Sequence, residues 1–151
     1  MKQDKLLLMG MLKKERKIMR KILLPIDGSE RSMKAIDWVE SRYSPEDIDI
    51  TILIVREDLV DMWSQDEYEQ AKLESQLILQ KNASLLNKFA VNTQFRFGRA
   101  GEEIVAFAKR NDIDTIVITK STKSGLLRFI GSVTTHVVKY ADCVVVIVPE
   151  R

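Results

Sequence analysis

From Lys21 onward the apolar residues fall into two alternating patterns. Short runs rich in β-branched residues are separated by longer stretches where apolar positions recur every three or four residues. The first run, Ile22, Leu23, Leu24 and Ile26, stops at Asp27-Gly28-Ser29, a turn signal. Residues 31–43 then carry Met33, Ile36, Val39 and Tyr43 at helical spacing. Ser29 is placed to cap that helix and Pro45 to close it. Residues 48–55 (IDITILIV) predict a second strand. Residues 62–90 predict one long helix, with room for a loop before Asp66 and with Ile78, Leu85 and Phe89 on its apolar face.

Further along, residues 93–97 predict a third strand, and residues 102–110 a helix burying Ile104, Val105 and Ala108. A fourth strand is expected at 114–119 (DTIVIT), and a fourth helix at 132–140 with Val133 and Val137 inward. The run from Cys143 to Val148 (CVVVIV) ends the series. Strands two, four and five are nearly continuous apolar runs, as expected when helices cover both faces of a sheet. Strict strand–helix alternation with right-handed crossovers makes this an α/β fold with a doubly wound, five-stranded parallel sheet.

Composition changes this picture at the N-terminus. At 151 residues the chain suits one domain. Residues 1–21 hold eight Lys/Arg against Asp4 and Glu15, a balance of +6, so with a total of +2 the remainder carries −4. Residues 1–19 therefore read as a basic extension, with Leu6, Leu7, Leu8, Met9, Met11 and Leu12 clustered in it, ahead of a domain at 20–151. The cluster is short and precedes most of the charge, unlike a secretory signal. Because the basic excess belongs to the extension, nucleic-acid binding is not expected. No apolar run approaches the roughly 18 residues of a membrane span, so no membrane association is expected. The single cysteine, Cys143, lies within an apolar run, where a buried thiol and a reducing, cytoplasmic setting are expected.

In doubly wound sheets ligands bind beyond the carboxyl ends of the strands, where the winding reverses. That directs attention to the loops after Ile26, Phe97 and Thr119. The last of these is the most unusual segment: it runs from Lys120 through Gly125 to Gly131-Ser132, with Lys123 and Arg128 nearby, and leads into a helix whose free N–H groups can hold an anion. Solvated charges and simple helix capping by Gly131-Ser132 are the alternatives there, as is a purely local turn role for Asp27.

Four segments in series resemble the universal stress protein family: KILLPIDGSERSMKAI (21–36), FGRAGEEIVAFAK (97–109), DTIVIT (114–119) and SGLLRFIGSV (124–133). The resemblance runs from about Arg20 to Glu150 and implies strand order 3-2-1-4-5. It implies a nucleotide contact at Asp27, flanked by Pro25 and Ile26, with Val55, Ile118, Thr119, Thr122, Gly131, Ser132, Val133 and Thr134 completing the site. ATP with magnesium is the cofactor implied, and none is otherwise required. ATP-binding members carry Gly-x2-Gly-x9-Gly-Ser/Thr after the fourth strand, whereas this chain has Thr119-x2-Thr122-x8-Gly131-Ser132. Glycine allows positive φ and close approach of backbone to phosphate; a β-branched threonine opposes both. Weakened ATP binding is the expectation.

The function expected is a non-catalytic stress-response or regulatory protein with an unidentified protein partner. The alternative is an ATP-binding member with slow ATPase or autophosphorylation activity. Neither a P-loop nor a magnesium-binding carboxylate cluster is evident, and no catalytic residue or metal site is expected. His136, the sole histidine, stands mid-helix without a ligand at metal spacing. A receiver domain would need Asp at the end of strand three and Lys at the end of strand five, where Phe97-Gly98 and Val148-Pro149 stand. A flavodoxin fails on its first loop, Asp-Gly-Ser-Glu. In the implied order the strand from Cys143 to Val148 is an apolar edge without an internal block, so a homodimer through it is expected, as is common in the family.

Overall fold

The computed structural model describes residues 2–5, 18–58, 64–120 and 130–149. Among the described residues from Arg20 on, five strands alternate with four helices: β1 (Arg20–Ile26), α1 (Glu30–Glu40), β2 (Ile48–Arg56), α2 (Gln65–Leu85), β3 (Ala90–Phe97), α3 (Ala100–Arg110), β4 (Thr115–Thr119), α4 (Ser132–Tyr140) and β5 (Val144–Val148). The strands form one parallel sheet in the order β3-β2-β1-β4-β5. β1 is central, with Leu23 beside Thr51 of β2 on one side and Ile116 of β4 on the other.

Successive side chains along a strand point to opposite faces, so each strand feeds two cores. Ile22, Leu24 and Ile26 join Ile50, Ile52 and Ile54 beneath α1 and α2, where Ala35, Ile36, Val39, Leu79 and Leu86 are buried. Leu23, Leu53, Ile116 and Ile118 meet Ile104, Phe107, Ala108 and Val137 of α3 and α4 on the opposite face. Each fully buried Leu or Ile contributes about 1.5–3 kcal/mol of transfer free energy.

The long helix differs from its sequence reading. It begins at Gln65 because Ser64 and Glu67 form a capping box, in which Ser64 Oγ accepts from the Glu67 N–H and the Glu67 carboxylate accepts from the Ser64 N–H at 2.7 Å. The expected residues 62 and 63 lie outside those described. Its buried face is Ala71, Ser75, Leu79 and Asn82, continuing to Leu86, whereas Leu85 is 40% exposed and Phe89 lies beyond the helix. Two polar residues can occupy that face because each is satisfied by its own helix: Ser75 Oγ donates to the Ala71 carbonyl and Asn82 Nδ2 to the Ile78 carbonyl, both at 2.8 Å. Arg56 ties the end of β2 to this helix, donating to Asp58 and, at 3.3 Å, to Glu74.

Cys143 precedes β5 and is partly, not fully, buried; burial nevertheless pushes its thiol above its ordinary pKa. Among the described residues no helix is long and apolar enough to cross a membrane.

Candidate functional site

β1 ends at Ile26, and the chain turns into α1 through Gly28, whose φ of +79° suits glycine. The turn is organised around Asp27. Its Oδ1 accepts from the Ser29 N–H at 3.0 Å, the Ser29 hydroxyl at 2.5 Å and the Ser32 hydroxyl at 2.8 Å. The Asp27 N–H donates back to Ser32 Oγ at 3.2 Å, and Arg31 Nη2 stands 3.5 Å from Oδ2. Ser29 does occupy the N-cap of α1, but its side chain makes no capping bond. Its hydroxyl donates instead to the Asp27 carboxylate, and its oxygen accepts from no N–H of the helix. Partial burial pushes the Asp27 carboxyl up, yet the bonds from Ser29 and Ser32 and the charge of Arg31 together outweigh it and hold the group below its ordinary value.

A cavity of about 190 Å³ opens beside this turn, beyond the carboxyl ends of β1, β2 and β4. β1 leads into a helix on one face of the sheet and its neighbour β4 leads to a helix on the other, so the cavity lies at the switch point. Its walls include eight residues expected from sequence. Pro25, Ile26 and Asp27 come from β1 and its turn, Val55 from β2, Ile118 and Thr119 from β4, and Val133 and Thr134 from α4. Gly131 and Ser132 are not among the lining residues: Gly131 is the N-cap of α4 and Ser132 its exposed first residue. Thr122 lies outside the described residues, as do Lys123 and Arg128.

Six further lining residues were not anticipated. Ser29, the N-cap of α1, and Arg31 and Ser32 of its first turn follow directly on Asp27, and that closeness in sequence was the available signal. Leu53 lies two residues before Val55 and so shares its face. Ala100 and Ile104 come from α3, which is docked here partly by Glu57: its carboxylate accepts from the Ala100 N–H at 2.6 Å, joining the end of β2 to the start of α3. No local pattern announces that contact across 43 residues.

Thr119 has one more distinguishing property. Its Oγ1 is shielded from solvent and has no hydrogen-bond partner, the one side-chain polar atom in that condition among the described residues. His136 stands away from these walls, with its ring 4.6 Å from that of Tyr140. Among the described residues no three His, Cys, Asp or Glu side chains gather to hold a metal.

The model of the universal stress protein family matches residues 19–149. The chain belongs to the universal stress protein family. Universal stress protein MJ0531 of Methanocaldococcus jannaschii is 29% identical over 140 residues, spanning 87% of this chain and 82% of that protein. Among solved structures, hypothetical protein MJ0577 superposes with a TM-score of 0.77 at 24% identity, over 89% of this chain and 98% of its own. A universal stress protein family member from Arabidopsis thaliana, solved with AMP bound, superposes with a TM-score of 0.66 at 17% identity, over 87% of this chain and 92% of its own. At these identities the structural likeness establishes the fold.

Proposed function

We propose that this universal stress protein is a cytoplasmic, non-catalytic regulatory protein that binds an adenine nucleotide weakly in the cavity and acts on a protein partner as a homodimer joined through β5. The cavity's position carries the reading. At the switch point it offers an apolar slot, formed by Ile26, Leu53, Val55, Ile118 and Val133, with an ionised Asp27 at its rim. A base fits such a slot, and the fold's Arabidopsis relative was solved with AMP bound.

An extended triphosphate with magnesium fits the described walls poorly. The two charged lining residues, Arg31 and Asp27, face each other at 3.5 Å, leaving little net positive charge on the described walls for phosphates. Thr119 places a branched side chain where ATP-binding members have glycine. A non-catalytic role agrees with the engagement of Asp27, the carboxylate in the walls, by Ser29, Ser32 and Arg31. The dimer is supported by the edge position of β5, where Val144 is 60% exposed; Val138 and Tyr140 of α4 are exposed as well.

Calorimetry with AMP and with Mg-ATP tests the ligand. AMP is expected to bind, and Mg-ATP not to saturate at micromolar nucleotide. Submicromolar Mg-ATP binding, or phosphate release above the uncatalysed background, would overturn the reading.

A further inference from the structure

We infer that the amino ends of β1, β2 and β3 form a second binding site, at the opposite end of the sheet from the switch-point cavity, and that it takes a small zwitterion, an α-amino acid with a polar side chain. The inference does not rest on the nucleotide reading.

The site begins with an unusual residue in β2. Asp49 is the one charged residue of that strand before Arg56, and aspartate is depleted in strands. Its register partner on β1 is Lys21, so opposite charges stand side by side on one face of the sheet. They do not pair. Lys21 Nζ turns instead to the Asn111 carbonyl and donates to it at 3.0 Å. Asn111 is the C-cap of α3, where a cation meets the negative end of the helix. Asp49 is thereby left half-buried, with no hydrogen bond or ion pair from the side chain of any described residue. Next along the same face, Thr51 is in register with Asn92 of β3, and these two side chains likewise bond to no described residue. Lys21, Asp49, Thr51, Asn92 and Asn111 line a cavity of about 180 Å³, with buried Ile113 as its apolar wall. Asp49 lies six residues before Val55 of the other cavity, roughly 20 Å along the strand.

A carboxylate only accepts hydrogen bonds and an ammonium only donates them, so the pair together suits a ligand carrying one cation and one anion. An α-amino acid holds its ammonium and carboxylate on a single carbon, and neighbouring strands are about 4.8 Å apart. One such molecule bridges the two side chains, its ammonium on Asp49 and its carboxylate on Lys21, through charge-assisted hydrogen bonds. Other classes fit worse. A phosphate is repelled by Asp49, and a divalent cation is repelled by Lys21 and finds too few oxygens. No aromatic ring lines the cavity to stack on a sugar. Thr51 and Asn92 offer a hydroxyl and an amide to the ligand's own side chain, which favours asparagine or serine over leucine.

The test is an amide NMR titration of the full chain with L-asparagine at fixed ionic strength, repeated with N-acetyl-L-asparagine, L-asparaginamide, L-leucine and D-glucose. L-asparagine should saturate with a Kd of about 1 mM, and its largest shifts should fall at Asp49, Thr51, Asn92 and Ile113. Blocking either the ammonium or the carboxylate should weaken binding about tenfold, and L-leucine should bind about threefold more weakly. Asp49→Asn should weaken L-asparagine about tenfold, and Asn92→Ala should bring it to the level of L-leucine. Asp27→Asn, in the other cavity, should leave it unchanged. Sensitivity to the ligand's own charges separates recognition from a general change in the fold. The inference falls if L-asparagine gives no saturable shift at millimolar concentration, if N-acetyl-L-asparagine binds as well as its parent, if D-glucose binds instead, or if Asp49→Asn binds as the native protein does.

Discussion

Gly101 of α3 lies against the root of the His136 side chain on α4: a Cβ placed on Gly101 would stand 2.8 Å from His136 Cβ and 2.9 Å from its Cγ. The two helices meet at this point because one of them has no side chain there. Gly101→Ala should therefore destabilise the protein despite alanine's better helix propensity. Overpacking costs about 1–3 kcal/mol, against about 1 kcal/mol gained from propensity. A fall of about 2–4 °C in melting temperature is expected, and a rise would show that α4 moves away freely.

Asp27 makes acid stability diagnostic. Its carboxyl is held below the ordinary value in the folded chain, so its contribution is present above the unfolded pKa, near 3.8, and is lost as pH falls through the folded one. The stability difference between the native protein and Asp27→Asn should thus shrink as denaturation is measured from pH 6 down to 3. With the side chain 61% exposed, solvent screening keeps the effect to no more than about 1 kcal/mol. A pH-independent difference would mean that Asp27 acts only through its shape.

The orientation of β5 decides which proline probes the proposed dimer. The Val144 N–H donates to the Asp114 carbonyl and the Val148 carbonyl accepts from the Lys120 N–H, so Val144, Val146 and Val148 direct their backbone groups toward β4. Val145 and Ile147 therefore present theirs at the outer edge. Val145→Pro should leave a folded protein that light scattering reports as a weaker dimer, whereas Val146→Pro should damage the β4–β5 ladder itself. A native monomer, or a folded Val145→Pro that stays fully dimeric at micromolar concentration, would rule the interface out.

Removal of residues 1–18 should leave cooperative unfolding and shift the melting temperature by less than about 2 °C. Ile18 is 91% exposed, and the sheet begins two residues later, where the Arg20 N–H donates to the Asp47 carbonyl at 2.9 Å. A larger loss would place the Leu6–Leu12 cluster against the body or a second copy.

What the sequence determined by itself was the local order of the chain. The β-branched runs at 48–55 and 114–119, the stop at Asp27-Gly28-Ser29 and the helical spacing of Ile36 and Val39 each depend on near neighbours, and each lies where its pattern placed it. Resemblance then supplied the strand order. Asp27 and Thr119 were legible as strand-end positions, because a parallel sheet brings all its carboxyl ends to one side, whereas Val55 and Ile118 came only from the resemblance. The tertiary structure alone decided which neighbour each side chain met. Leu86 rather than Leu85 turned inward because α2 packs on the sheet through Leu79 and Leu86, a choice of rotation about the helix axis that a run of two leucines leaves open. Ser29 donates its hydroxyl to Asp27 and makes no capping bond to α1, an outcome of the local turn geometry that its residue type leaves open. Ala100 and Ile104 entered the cavity wall, and the Val145 N–H faced the open edge, through register and docking between segments far apart in the chain. Such contacts are set by how whole layers pack, and no short stretch of residues encodes them.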